Sequence, residues 1–183
     1  MDIMISHIYT QEFIDKINDY IKIYNLKNLQ IHFENDEIKS IYSNQNGHNY
    51  DIDSDDIEFF TIYKSFFSNL MINAGYNINP NIGVLECWSY NPNNNNVNSL
   101  DRHTDDYGNV NYPVETCILY TKKDETIIGG NFFYYKNNIE HKIYIKSGTL
   151  LMMKGNLEHS PESITGVGQR NCLVCFFKSN EKR

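Results

Sequence analysis

Four residues in this 183-residue chain have types and an order that could do chemistry: His103 and Asp105 in His103-Thr-Asp105, His159 well downstream, and Arg170 beyond it. Two imidazoles and one carboxylate on one side of a metal ion make the facial ligand set of non-haem Fe(II) centres, which leaves positions open for reactants. The i, i+2 spacing suits an extended segment, where alternate side chains project to one side. His103 and Asp105 are then expected to face the ion, with Thr104 pointing away and Asp106 a loop residue rather than a ligand. A third ligand so far along the chain must come from another strand, which an antiparallel β-core supplies. A helical HxxxH zinc site places both histidines on one helical face, and this spacing does not. An HxD pair or a single histidine alone is weak, because histidines commonly serve structural roles. The ordered set carries the argument.

The elements that must position these groups follow from periodicity. Phe13, Ile14, Ile17, Tyr20, Ile21 and Tyr24 recur at helical spacing behind Thr10, which predicts an amphipathic helix over 10–24 with Thr10 as N-cap. Leu29, Ile31 and Phe33 alternate with polar residues, and Asn35-Asp36-Glu37 turns the chain into a second strand, Ile38 to Ser43, ending at Asn46-Gly47. Asp51, Asp53 and Asp55 imitate a calcium loop but lack its glycine and its final acid. They are expected instead to start a mostly buried helix carrying Ile57, Phe59, Phe60, Tyr63, Phe66, Phe67 and Leu70.

After Asn79-Pro80 the character changes to short β-prone runs: Val84 to Tyr90, Thr116 to Tyr120, Phe132 to Lys136, Ile139 to Ile145, Thr149 to Met153 and Cys172 to Phe177. The expectation is one domain of mainly β (α+β) class. Residues 1–79 give helical and hairpin support, and residues 80–183 give a jelly-roll, cupin-like core.

Other groups receive structural readings. Cys172-Leu-Val-Cys175 has CxxC spacing, but in a strand positions three apart point to opposite faces and cannot share a metal. His7, His32, His48 and His141 complete no metal set and are expected at the surface, and Gly129-Gly130 at a turn or bulge. The Asn-rich stretch 91–99 is a candidate lid, although the heavy use of Asn, Ile, Lys and Tyr throughout points to an AT-rich genome and explains it equally well. A net charge of -7 disfavours nucleic-acid partners. Without an apolar run long enough for a bilayer or a signal-like start, the chain is expected to be soluble and intracellular.

Over roughly its last hundred residues the sequence resembles the Fe(II)/2-oxoglutarate-dependent dioxygenases, in particular the prolyl-4-hydroxylase-like branch with its double-stranded β-helix core. The stretches that carry the resemblance are Trp88-Ser-Tyr90, His103-Thr-Asp105, Thr116-Cys-Ile-Leu-Tyr120, Gly129-Gly130-Asn-Phe-Phe, Gly148 through Gly155, His159-Ser-Pro161 and Gly168-Gln-Arg170.

The resemblance implies Fe(II) held by His103, Asp105 and His159. It also implies 2-oxoglutarate and dioxygen as co-substrates, with ascorbate as a reductant. Arg170 would anchor the far carboxylate of 2-oxoglutarate, Tyr120 would donate its hydroxyl to the same group, Ile118 would form an apolar wall, and Tyr90 is a further candidate for that pocket. The implied reaction couples decarboxylation of 2-oxoglutarate to succinate with oxidation of a C–H bond, most readily on a protein side chain such as prolyl. A free amino acid or other small molecule is the main alternative substrate. Nucleic-acid dealkylation ranks third, because Phe176, Phe177 and Lys178 stand where that branch carries a second arginine. A catalytically inactive cupin-like binding module is the reading from another class.

Overall fold

The computed structural model describes residues 2–7, 10–23, 28–43, 48–92, 101–106 and 112–181, with fifteen elements in order. These are β1 (Ile3–His7), α1 (Gln11–Ile23), β2 (Asn28–Glu34), β3 (Glu37–Ser43), β4 (His48–Tyr50), α2 (Ser54–Asn73), β5 (Ile78–Tyr90), β6 (Val114–Lys123), β7 (Ile127–Gly129), β8 (Phe132–Lys136), β9 (Ile139–Ile143), β10 (Thr149–Lys154), β11 (His159–Pro161), β12 (Ile164–Gly166) and β13 (Arg170–Ser179).

The strands form an eight-stranded sheet ordered β1-β10-β6-β13-β5-β2-β3-β4, a three-stranded sheet β11-β8-β9, and the pair β12-β7. All pairings are antiparallel. Two facing antiparallel sheets with helices on the outer side make the expected double-stranded β-helix, and the class is mainly β. The N-terminal strands extend the major sheet at both edges: β1 pairs with β10, and β2 joins β5. At the end of α2, the Tyr76 hydroxyl donates to the Met152 carbonyl of β10 at 2.7 Å.

The central strands alternate, as a sheet covered on both faces requires. One face carries Leu85, Cys87, Cys117, Leu119, Leu173, Cys175 and Phe177, packed with Ile17, Tyr20, Phe59, Phe60, Tyr63, Phe67 and Met71 of the two helices. The other carries Ile118, Tyr120, Cys172 and Val174, packed with Phe132 of the minor sheet. Cys172 and Cys175 therefore sit on opposite faces, as the strand period demands, and all four cysteines are free.

Most elements form where their residues predict. Asp53 caps α2: its carboxylate accepts the backbone N–H groups of Asp55 and Asp56, both at 2.9 Å, while Asp56 answers the Asp53 N–H at 3.1 Å. The Asn35-Asp36 and Asn137-Asn138 turns have positive φ at both residues, the conformation of tight hairpins that Asn and Asp tolerate best. Here the asparagine bias does structural duty.

Some expectations are corrected. α2 buries one face only, leaving Ile57, Ile62 and Ile72 exposed, because helices on the outside of a sheet need one apolar face. β5 begins at Ile78 and runs through Asn79-Pro80 instead of starting after it. His7, His32 and His141 are half-buried rather than at the surface, and the His141 ring stacks on Tyr134 with centroids 4.7 Å apart. Tyr24, Asn46-Gly47, the side chain of His48 and most of the 91–99 stretch lie outside the described residues.

Candidate active site

His103 and His159 face each other across an isolated antiparallel bridge, exchanging both backbone hydrogen bonds at 2.9 Å. This pairing brings together two histidines that lie far apart in sequence, with ring centroids 4.4 Å apart. The chain then bends. The N–H groups of Asp105 and Asp106 both donate to the Gly155 carbonyl, at 2.8 and 3.1 Å. Asp106 Oδ1 accepts the Val114 N–H at 2.9 Å, so Asp106 is a loop anchor as expected. A Cβ at Gly155 would lie 2.5 Å from the Val114 carbonyl oxygen and 2.6 Å from Asp106 Oδ1, so only glycine allows this approach. The extended segment expected through 103–105 is thus replaced by a bridge and a bend. Thr104, expected to point away, contributes to the cavity wall.

The polar atoms of the three groups are oriented. His103 Nδ1 donates to the Asp101 carbonyl at 2.6 Å, and His159 Nδ1 donates to the Leu157 carbonyl at 2.9 Å. A carbonyl only accepts, so each Nδ1 carries the ring proton and each Nε2 presents a lone pair. Both Nε2 atoms face Asp105 Oδ1, at 3.7 Å from His103 and 3.5 Å from His159. The second oxygen, Asp105 Oδ2, accepts from the Thr116 hydroxyl at 2.6 Å, which leaves Oδ1 for an ion.

Burial lowers the His159 pKa, outweighing the opposing effect of Asp105, and keeps the ring neutral as a ligand must be. Phe132 stacks on this ring with centroids 5.2 Å apart. One ligand atom from each of His103, Asp105 and His159 lies within 4.8 Å of the others, the only such group of His, Cys, Asp and Glu among the described residues able to hold a metal ion.

From this trio a cavity of about 350 Å³ runs over the major sheet to Arg170, past Thr116, Ile118, Tyr120, Cys172 and Tyr90. Arg170 is 1% exposed. Its Nη1 donates to the Glu162 carbonyl at 3.3 Å, its Nε has no partner, and among the described residues no carboxylate pairs with it. A buried guanidinium without a counter-charge is costly, and an anionic ligand would satisfy it.

The guanidinium carbon lies 4.5 Å from the Tyr90 ring centroid and 6.0 Å from that of Tyr120. Tyr90 is therefore the nearer ring to the guanidinium. Burial raises both phenol pKa values well above the ordinary range, so each hydroxyl stays a donor. Gly130 also belongs here. It adopts φ +69°, and a Cβ on it would lie 2.7 Å from Ile164 Cγ2 and 3.3 Å from Arg170 Cδ, so the second glycine of Gly129-Gly130 makes room for the arginine stem.

The sequence reading missed Gly130, Thr116 and Gly155 as parts of the site. For Gly155 the signal was present, a glycine directly after the apolar strand that precedes His159.

No family model matches the chain, and no curated protein does. Solved structures do. The chain is similar to a Pseudomonas putida prolyl-4-hydroxylase at a TM-score of 0.66 and 15% identity, covering 98% of this chain and 94% of that one. It is similar to a Trichoplax adhaerens prolyl hydroxylase in complex with a hypoxia inducible factor peptide fragment, at 0.61 and 13%, covering 97% and 84%. It is also similar to the non-heme alpha ketoglutarate dependent carbocyclase SnoK of nogalamycin biosynthesis, at 0.63 and 10%, covering 97% and 79%. At such identities the likeness speaks for the fold alone, the one seen in these solved 2OG-Fe(II) oxygenases and prolyl hydroxylases.

Proposed function

We propose that the chain is an Fe(II)- and 2-oxoglutarate-dependent oxygenase, with iron held by His103, Asp105 and His159 and 2-oxoglutarate anchored by Arg170. One observation carries this reading: a single cavity holds the convergent His103-Asp105-His159 trio at one end and a buried guanidinium lacking a counter-ion at the other. A dicarboxylate would be held there by the trio's metal at one end and by Arg170 at the other. Fe(II) and 2-oxoglutarate supply, when bound with dioxygen, oxidative decarboxylation to succinate coupled to oxidation of a substrate C–H bond.

The protein's part is positional. The two backbone carbonyls fix the imidazole tautomers, and Thr116 turns Asp105. Arg170 offers paired N–H groups to a carboxylate. The Tyr120 hydroxyl is the donor proposed beside it. Ile118, Val174 and Phe132 keep the path between the ends apolar and exclude water. Ascorbate would serve as an external reductant.

The substrate class follows from weaker support. A protein or peptide side chain, prolyl among the candidates, is favoured by the likeness to prolyl hydroxylases, one of them peptide-bound. A small-molecule substrate is the second reading, favoured by the likeness in fold to the carbocyclase.

Anaerobic titration with Fe(II) and 2-oxoglutarate tests the core of the proposal. A weak visible charge-transfer band is expected from the wild-type chain, together with oxygen-dependent succinate release. His103→Ala and Asp105→Ala are expected to lose both. A wild-type chain without the band, or variants that keep turnover, would overturn the assignment and leave a binding module. Mass spectrometry of peptides and small metabolites incubated with the enzyme separates the two substrate classes by a 2-oxoglutarate-dependent gain of one oxygen.

A further inference from the structure

A continuous set of side chains starts on the N-terminal strand β2 and ends on Arg170. Gln30 lies opposite Glu86 in the β2–β5 register, and its Nε2 donates to Glu86 Oε1 at 2.5 Å. The other carboxylate oxygen, Oε2, accepts the Trp88 indole N–H at 2.6 Å. The Trp88 indole lies nearly parallel to the Tyr90 ring, with centroids 5.8 Å apart and planes inclined by 7°. Tyr90 in turn lies 4.5 Å from the Arg170 guanidinium carbon. Glu86, Trp88 and Tyr90 alternate along β5 and all line the cavity. Across β13 they stand opposite Val174, Cys172 and Arg170.

The residue type at position 86 follows from what it holds. The Trp88 indole nitrogen can only donate, and the Gln30 amide reaches the carboxylate through its N–H. The two oxygens of a carboxylate accept from both. An amide there would keep the Trp88 N–H on its oxygen and let Gln30 turn over to accept from its nitrogen, whereas an apolar chain of the same length leaves the buried indole N–H without an acceptor. Burying a carboxylate is unfavourable, and Glu86 is only 2% exposed, so an apolar residue would suit a cavity wall that held nothing.

We propose that Glu86 is a positioning residue for co-substrate binding. By fixing the Trp88 indole it holds the Tyr90 ring against the Arg170 guanidinium, and so sets the geometry in which that cation meets a carboxylate. The proposal rests on the reading of Arg170 as the anchor of 2-oxoglutarate. It gives β2, remote from the metal ligands in sequence, an indirect part in recognising the co-substrate, through Gln30 and Glu86.

Trp88 is the chain's single tryptophan, so its fluorescence reports on this set without a label. The test loads the full chain with Mn(II) and measures 2-oxoglutarate binding by calorimetry and by Trp88 emission. Glu86→Met is expected to weaken 2-oxoglutarate about tenfold, the scale of one buried donor, the Trp88 N–H, losing its acceptor. It should also shift Trp88 emission to longer wavelength while Mn(II) affinity stays at the wild-type value. Trp88→Phe keeps a ring on Tyr90 without the N–H and is expected to weaken binding about threefold, the scale of a perturbed cation–π contact. It decides the matter by calorimetry if Glu86→Met does not fold.

Folded variants that bind 2-oxoglutarate as tightly as wild type overturn the proposal while leaving the oxygenase reading intact. Joint loss of Mn(II) and 2-oxoglutarate binding overturns it too, because Glu86 would then support the whole fold rather than one end of the cavity. A wild-type chain that binds no 2-oxoglutarate removes the oxygenase reading and this inference with it.

Discussion

The two faces of the major sheet are built from the same strands yet behave as different materials. On the helix side, Leu85, Cys87, Leu119, Leu173, Cys175 and Phe177 meet α1 and α2 in a cluster dominated by aliphatic and aromatic groups, where Tyr20 and Phe59 stack with ring centroids 3.6 Å apart. On the cavity side, the neighbouring positions Glu86, Trp88, Tyr120, Arg170 and Cys172 carry charge, hydroxyl and thiol groups around open volume. One face is filled to hold the strands in place; the other tolerates an unpaired buried cation because the first face secures the sheet. A strand's period of two lets one stretch of sequence serve both tasks.

If that division is right, changes on the two faces should separate stability from binding. The largest effect is expected from Phe67→Ala on the helix side, where a fully buried ring leaves a void costing about 3–5 kcal/mol of unfolding free energy. At a temperature where the variant is folded, its affinity for Mn(II) and 2-oxoglutarate should match wild type; a matching loss of affinity would mean that the faces are not separable.

Arg170→Met is expected to do the reverse. It removes a buried, uncompensated charge and should stabilise the ligand-free chain by about 1–4 kcal/mol in a denaturant titration, while calorimetry detects no 2-oxoglutarate binding. Destabilisation instead would show that the guanidinium is satisfied within the fold.

Gly130→Ala imposes a left-handed conformation on a residue with a Cβ and crowds the arginine stem. A loss of about 1–2 kcal/mol in stability is expected from the backbone alone, with weakened 2-oxoglutarate binding as the mark of its place beside Arg170.

The smallest effect concerns pH. Burial lowers the pKa of His32 and His159, so around the ordinary imidazole value the folded chain binds fewer protons than the unfolded one. Their contribution to stability is complete above that value and is lost as pH falls through it toward the lowered ones. Melting of the metal-free chain should therefore move to higher temperature between roughly pH 5 and pH 8; a flat profile would contradict the burial of these rings.

Much of this molecule was legible before any coordinates. The metal trio and Arg170 stood out because few arrangements other than a shared ion and anion require that set in that order. The long strands and both helices announced themselves by period, and Asp53 by the acids that begin α2. The three-residue strands β4, β7, β11 and β12 did not, since so short a run holds too little pattern to separate from loop, and neither did β1. Nor did the distance of either tyrosine ring from Arg170, because sequence spacing assigns a face but not a distance.

What the sequence determined by itself is therefore local: which residues alternate, which cap, which turn, and which side chains have the chemistry of ligands. The tertiary structure alone decided the convergences. It set His103 opposite His159 in a single bridge, put Thr116 on the spare oxygen of Asp105, and laid Tyr90 against Arg170. The reason is physical. Local choices depend on neighbours a few residues away, whereas these contacts depend on strand registers fixed by the packing of a whole sheet, with one face filled so that the other can stay open.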